Sequence, residues 1–422
     1  MAARDAAMLI VRELRDAGHV AYFAGGCVRD ALLGHEPKDY DIATDATPEQ
    51  VRALLPRSRA VGEAFGVVLV RLGGNNVEVA TFRSEWGYTD KRRPDHVIFT
   101  DAEHDAKRRD FTINGLFADP FERDADTGGD RIIDYVGGRA DLAARVVRAI
   151  GDPSERFSED YLRMLRAPRF AARLNFDIEP RTAAAIRPLA KHLGQISRER
   201  IGMEVQAMLA GPRPALAVRM VHALRLDGPV LNEDHVDVPL HTLEALTRDA
   251  SALPYATLLV GWLIDRQFAG ELSFERVVNF AGHEAPARLR RWRKALCLSN
   301  QHHDQAKAML ALLPVAYRWS ALDVARRKRL LAASAWPEAL RLLRALPAAR
   351  EVAALEREAQ PLIEEGVAPP PLVDGNDLIK LGLTPGPAFG RLLEEVYDAQ
   401  LDGRVRDREG ALAWVRERAR GV

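Results

Sequence analysis

Apolar and polar residues change their period once along this chain. Up to about residue 150, short runs with period-two alternation at 20–25, 39–43, 67–72, 77–82 and 97–99 read as strands, and residues 6–17 carry apolar side chains at helical spacing. Residues 48–54 read as a helix, with Thr47 as its cap and Pro48 at its first position. From about residue 155 the pattern is helical almost throughout. It breaks at Gly211-Pro212, over 226–239, and at 367–371, where three prolines follow one another. The expected class is therefore α+β: a small mixed α/β head followed by a long all-helical neck, body and tail. Boundaries are expected near 1–150, 151–212, 213–330 and 331–422. No internal repeat is visible.

Composition narrows this picture a little. A chain of 422 residues suffices for two to four domains with sizeable cores. Its 60 basic residues balance 60 acidic ones, which argues against a generally basic nucleic-acid binder but allows a local basic face. Most basic residues are Arg, which suits bidentate phosphate contacts. Cys27 and Cys297 give neither a zinc pattern nor a disulfide framework, so no disulfide partner is expected. No apolar run reaches membrane-spanning length and the first residues lack a signal-type apolar stretch. The expected setting is cytoplasmic, with no membrane contact.

Three constellations carry chemistry. In the first, Gly25-Gly26 ends an apolar run and precedes Arg29, and Asp39 and Asp41 follow in a strand-like run. Alternation puts both carboxylates on one face and turns Tyr40 and Ile42 toward a core. Paired carboxylates repel unless a hard cation lies between them, and Mg²⁺ takes such oxygen ligands together with substrate phosphates. A glycine turn that admits phosphate to backbone N–H groups completes the equipment for nucleotidyl transfer. An isolated Asp-x-Asp is common in exposed turns; the combination at this spacing carries the inference. In the second, residues 107–114 read Lys-Arg-Arg-Asp-Phe-Thr-Ile-Asn, offering Arg to a triphosphate and Asp and Asn to ribose hydroxyls. In the third, Asp160, Arg163 and Arg166 recur at i, i+3, i+6, as along one side of a helix with ordinary ion pairs. A carboxylate only accepts hydrogen bonds and a guanidinium only donates them. Such a pair fits a base edge with an amino group beside a ring-nitrogen acceptor. Cytosine and adenine present that order; uracil and guanine present the reverse.

Together these motifs resemble the polymerase beta-like nucleotidyltransferases, and more narrowly the class II tRNA nucleotidyltransferase (CCA-adding) and bacterial poly(A) polymerase family. The resemblance covers the whole chain and is most specific over 22–176. It implies a polymerase beta-like sheet in the head and template-independent addition of CMP and AMP from CTP and ATP to the 3′ end of tRNA. Pyrophosphate would leave by a two-metal mechanism with Asp39 and Asp41 holding Mg²⁺. It further implies Glu78 as a third carboxylate near the metals and Gly26, Arg29 and Arg166 at the triphosphate. Arg109, Asp110 and Asn114 would read the ribose, and Asp160 and Arg163 the base. Trp86, Tyr88, Asp90, Arg92 and Arg93 resemble the family's flexible loop, and Asp134, Gly137, Gly138 and Asp141 its hinge. Pro168 departs from the family pattern and should kink its helix by removing one hydrogen bond.

Beyond residue 235 the signals are looser. His241-Thr242-Leu243 and the segment ending in His283-Glu284 resemble an HD phosphohydrolase domain, but Val260-Gly261 stand where its His-Asp doublet belongs. Val and Gly side chains cannot bind a metal, so this is read as a degenerate HD scaffold. The tail, 331–422, is expected to hold the tRNA elbow or primer backbone through exposed Arg residues. Arg290, Arg291, Arg293 and Lys294 form another basic run, which reads either as an RNA contact or as a solvated helix face. Poly(A) polymerases and enzymes that add only the terminal A share the same motifs. An HD phosphohydrolase and a non-catalytic RNA-binding protein are the readings from other classes.

Overall fold

The computed structural model describes residues 1–56, 58–60, 66–86, 96–125, 128–248 and 252–419. They form two compact units, Met1–His235 and Val236–Val422. Unit 1 opens with α1 (Ala3–Asp16), β1 (Ala21–Ala24), α2 (Gly26–Leu32), β2 (Asp41–Thr44) and α3 (Pro48–Leu54). There follow β3 (Ser58–Ala60), β4 (Val67–Leu72), β5 (Asn75–Thr81), β6 (Arg83–Trp86), β7 (His96–Phe99), α4 (Ala102–Lys107), β8 (Leu116–Arg123), β9 (Asp130–Asp134) and α5 (Gly138–Ala144). Seven strands make one sheet in the order β3-β4-β5-β2-β1-β8-β9. The β2–β5 pair is parallel and the other pairs are antiparallel.

Alternation along β1 and β2 builds two faces. Phe23 and Tyr40 meet edge to face at 5.0 Å on one side, and Ile42 is fully buried. On the other side Ala24, Ala43, Phe82 and Phe117 pack with Ala102 and Ala106 of α4, with Tyr22 against them. Register places Ala24 opposite Asp41, so Asp41 continues this second face where the apolar cluster ends. α3 starts as expected: the Gln50 N–H donates to Thr47 Oγ1 and the Gln50 side chain accepts from the Thr47 N–H. β6 and β7 pair as a separate hairpin whose connecting residues, Tyr88, Asp90, Arg92 and Arg93 among them, lie outside the described residues.

The rest of unit 1 is helical apart from a two-strand pair, β10 (Val146–Val147) with β11 (Asp177–Ile178). Its helices are α6 (Pro153–Glu159), α7 (Arg163–Leu174), α8 (Pro180–Leu189), α9 (Arg198–Leu209), α10 (Pro214–Ala223) and α11 (Asp227–Leu231). One expectation changes here. The break expected over 226–239 contains the short helix α11, whose Asp227 is fully buried and accepts from His235 Nδ1 at 2.6 Å. Pro168 lies buried inside α7, as its place in the sequence implied.

Unit 2 is all helical among its described residues. α12 (His241–Leu246) and α13 (Tyr255–Gln267) pack where Gly261 admits Leu246: a Cβ on Gly261 would sit 2.7 Å from Leu246 Cδ1. Asp265 caps α12 from outside, accepting the Thr242 and Leu243 N–H groups at 2.8 Å each. Burial raises its carboxyl to about 6 against the pull of those hydrogen bonds. Toward the C-terminus Val373, Leu378, Leu392, Val396, Ala399, Val405, Ala411 and Val415 make a separate small core. No helix of the described residues is long and apolar enough to cross a membrane. Cys27 is buried, Cys297 is exposed, and both are free thiols.

Candidate active site

The site begins where β1 turns into α2. Gly25 makes that turn at φ +69, and its N–H donates to the Leu116 carbonyl at 2.9 Å. A Cβ here would lie 2.8 Å from Arg109 Nη1, so both conformation and space call for glycine. Gly26 then opens α2, and Arg29 one turn on is almost fully buried. Arg29 donates to Asp30 Oδ1 at 2.8 Å and to Asn114 Oδ1 at 2.5 Å, and stacks over Phe170 at 5.2 Å. Burial lowers its pKa while Asp30 opposes the fall.

Asp39 precedes β2 instead of lying in it, yet the alternation holds. Asp39 and Asp41 are exposed, whereas Tyr40 and Ile42 are buried. The parallel register sets Ile42 beside Val79, which makes Asp41 and Glu78 neighbours on one face. Partial removal of the carboxylate from water raises the Asp41 carboxyl to about 6; Glu78 adds to the rise, Arg109 opposes it and Asp39 adds a little. Among the described residues, no three His, Cys, Asp or Glu side chains group closely enough to hold a metal by themselves. The oxygen-only donors Asp39, Asp41 and Glu78 nevertheless fit a hard divalent cation. Such an ion would take its other ligands from water and substrate phosphate, and its charge would offset both the desolvation of Asp41 and the repulsion from its neighbours.

One cavity of about 540 Å³ gathers most residues singled out from the sequence. Gly26, Arg29, Asp41, Arg109, Asp110, Asn114, Asp160, Arg163 and Arg166 line it; Asp39 and Glu78 stand outside the lining, beside Asp41. Arg108, Arg169, Arg173 and Arg200 line it too. Among the described residues, eight arginines thus face three aspartates, a balance that suits a polyanion.

Most of these charges are held by partners. Asp105, buried on α4, pairs with Arg108 at 2.7 Å and Arg109 at 3.0 Å, and Arg109 Nη1 donates to the Asn114 carbonyl at 3.2 Å. Asp110 accepts from Arg166 Nε at 2.6 Å, Asn114 Nδ2 at 3.0 Å and the Phe111 N–H at 2.8 Å. Burial pushes the Asp110 carboxyl up, but Arg166 and these hydrogen bonds outweigh it and hold the pKa at about 2. The hinge-like segment locks onto the same motif. Asp134 accepts four successive N–H groups from Val136 to Arg139, and Asp141 accepts the Thr112 hydroxyl at 2.6 Å.

The third constellation is built differently from the sequence expectation. Asp160 is not on a helix with Arg163. It ends α6 in an extended conformation, φ −145 and ψ 104, and α7 begins only at Arg163. The expected i, i+3 pair is absent as well. Asp160 Oδ2 accepts from Arg200 at 2.6 Å, and Oδ1 from the Leu162 N–H at 3.0 Å. Arg163 instead pairs with Glu159 and donates to the carbonyls of Arg156 at 2.9 Å and Arg108 at 3.2 Å. Among the described residues its Nε has no partner. Both side chains still line the one cavity, because the turn at 160–162 and the start of α7 share its rim.

Sequence reasoning missed four of the lining arginines. Arg169 and Arg173 continue from Arg166 at i+3 and i+7, a stripe visible in the helical spacing. Arg108 lay inside a motif already noted. Arg200 comes from α9, and nothing local in the sequence marks it. Glu204 on α9 backs the stripe: it lies 3.2 Å from Arg169 Nε, and its buried Oε2 lacks a hydrogen-bond donor. Burial raises its pKa, opposed by Arg169 and Arg166.

Known proteins match this arrangement along its length. The family described as Poly A polymerase head domain matches residues 21–148, and the probable RNA and SrmB-binding site of polymerase A matches 175–231. A CCA-adding enzyme of Levilactobacillus brevis is 34% identical over 407 residues, 96% of this chain and 95% of that protein. A CCA-adding enzyme of Geobacillus stearothermophilus is 34% identical over 437 residues, 98% of this chain and 97% of the relative. The crystal structure of the Bacillus stearothermophilus CCA-adding enzyme in complex with CTP has a TM-score of 0.71 at 31% identity, covering 99% of this chain and 98% of that one. The Thermotoga maritima CCA-adding enzyme complexed with tRNA shares the fold, with a TM-score of 0.64 at 22% identity, covering 97% and 94%.

Proposed function

The chain belongs to the CCA-adding enzyme family, and on that premise we propose that its arginine-lined cavity transfers CMP and AMP from CTP and ATP to the 3′ end of tRNA. The primer 3′ oxygen bonds to the α-phosphorus, the α–β bridging P–O bond breaks, and its electron pair leaves with pyrophosphate. The hydroxyl proton passes to solvent. One observation carries the reading: Asp160 and Arg163 line the same cavity as Asp41 and the arginine row, so base reader and phosphate site adjoin.

The residues divide the work as follows. Asp39 and Asp41, with Glu78 beside them, would hold the divalent ions, for which we propose Mg²⁺; bound there, these would lower the pKa of the primer hydroxyl and neutralise triphosphate charge. Gly25 and Gly26 let the backbone approach the phosphates, and Arg166 and Arg29 supply charge around them, while Arg109 stands with the ribose motif. Asp110, kept ionised by Arg166, and Asn114 face the ribose hydroxyls. Asp160 accepts from the amino group of cytosine or adenine, and Arg163 Nε donates to the adjacent ring nitrogen. No nucleic-acid template is needed, because the side chains supply the complementary edge. The helical segments after residue 150 serve the RNA: a neck to 212, a body over 213–330, and a tail over 331–422. We place this work in the cytoplasm.

The test is product length. Unmodified protein is given tRNA ending before CCA, before CA and before A, with single labelled nucleotides. Two additions with CTP alone and one further with ATP support the reading. Open-ended AMP addition would replace it with a poly(A) polymerase, and addition of AMP only to tRNA ending in CC with an A-adding enzyme.

A further inference from the structure

A second cavity, of about 140 Å³, adjoins the first and shares Arg169 and Arg173 with it. Arg213, which precedes α10, is its third arginine. The remaining lining is Ala172, Ala207, Met208, Gly211 and Pro212, so among the described residues no carboxylate faces it. Arg169 and Arg173 have acidic partners behind them, Glu204 at 3.2 Å and Asp30 at 2.8 Å. Arg213 is exposed, and its guanidinium has neither a carboxylate nor a hydrogen-bond acceptor among the described residues. A small pocket with three guanidiniums and one of them uncommitted is built for a compact anion.

The arginines leading to it form a row. Arg166, Arg169 and Arg173 occupy one face of α7, spanning about 10 Å at the helical rise per residue. That row starts at Asp110, in the wall of the first cavity, and ends at the second. We propose that the second cavity is an exit subsite for pyrophosphate, the anion released in the first. The inference rests on the nucleotidyl-transfer reading above. Pyrophosphate formed among eight arginines loses strong contacts if it departs in one step. A row of guanidiniums lets each new contact form as an earlier one breaks, with Arg213 as the last.

The experiment measures pyrophosphate binding calorimetrically, with no tRNA or nucleotide present, and product inhibition of single CMP addition. The proteins are the full chain, Arg213→Gln and Arg213→Lys. Arg213→Gln is expected to weaken pyrophosphate binding and inhibition together by roughly tenfold, the scale of one charge-assisted contact. KM for CTP should move much less, and Arg213→Lys should recover most of the loss. Unchanged pyrophosphate binding in Arg213→Gln overturns the subsite. So does a KM for CTP that rises in step, because Arg213 would then only strengthen the general field. If pyrophosphate binding stays unchanged while the salt slope of tRNA affinity falls by about one, Arg213 serves an RNA phosphate and the proposal is wrong. Binding is read without catalysis, so failure of the unmodified chain to extend tRNA would instead count against the reaction itself.

Discussion

Arg166 Nε donates to Asp110 Oδ2 at 2.6 Å, a single ion pair that ties α7 to the ribose motif 56 residues earlier. Asp110 is almost fully buried, so its charge depends on this partner. Its folded pKa of about 2 lies below the ordinary 3.8. A depressed carboxylate stabilises the fold above its unfolded pKa and loses that contribution as pH falls through the folded value. The contribution is on the order of 2 kcal/mol, present above about pH 4 and gone near pH 2. Arg166→Met should lower stability at pH 7 by about 3 kcal/mol, because it strands a buried carboxylate. Its deficit should shrink as pH falls through about 2, below which Asp110 is protonated in both proteins. Denaturant unfolding at several pH values reads this; a deficit independent of pH would contradict it.

Asp41 has the opposite sign. Its folded pKa, about 6, lies above the ordinary 3.8. Ionisation therefore costs stability, growing from about pH 4 and complete above about pH 6. Without added metal, Asp41→Asn should unfold at a higher temperature than the unmodified protein at pH 7 and at the same temperature below pH 4. Mg²⁺ should raise the unfolding temperature of the unmodified protein and leave Asp41→Asn nearly unmoved. Nucleotide addition should be lost. An unchanged or lower midpoint for Asp41→Asn at pH 7 would show that ionising Asp41 carries no cost from desolvation and its acidic neighbours.

Gly25→Ala combines two costs. The φ of +69 penalises any side chain by roughly 1–2 kcal/mol. The clash at 2.8 Å falls on Arg109 Nη1, the movable end of a long side chain, so Arg109 shifts and its bond to the Asn114 carbonyl breaks. The expected result is a stability loss of about 1–2 kcal/mol with a rise in KM for both CTP and ATP. Normal KM values in a destabilised protein would remove Arg109 from the ribose site.

Arg200 positions Asp160 through the 2.6 Å contact to Oδ2. Arg200→Ala should loosen base choice without abolishing it, raising UTP and GTP use relative to CTP and ATP by several-fold, on the scale of one hydrogen bond. Arg200→Lys should restore part of the preference. Loss of rate with unchanged preference would mean that Arg200 acts on the phosphates and not on Asp160.

Much of this architecture is written locally in the chain, and some of it is not. The alternation Asp39-Tyr40-Asp41-Ile42 and the Thr47 cap depend only on neighbours, and both appear as read. The same holds for Gly25, whose turn is visible before its clash partner is known. The geometry around Asp160 is not local. Helical spacing put it beside Arg163, but the chain leaves helix at Asp160 and a residue of α9 supplies its partner. Period alone cannot separate one continuous helix from two helices joined by a three-residue turn. The stripe Arg166, Arg169, Arg173 was present in the spacing. Only the fold tells that it faces a cavity and not solvent.

The central claim is that side chains choose the base. Single-turnover addition of each of the four NTPs to a tRNA ending at the discriminator base tests it, comparing the unmodified protein with Asp160→Ala. Asp160→Ala removes the acceptor for the amino group of cytosine or adenine and leaves Arg200 without its partner, and sites built on hydrogen bonds lose discrimination in this way. The account predicts a slower enzyme whose preference for CTP over UTP, and for ATP over GTP at the final position, falls by at least roughly tenfold. Full preference for CTP and ATP at an unchanged rate would mean that Asp160 is only the partner of Arg200, and that the base is read elsewhere.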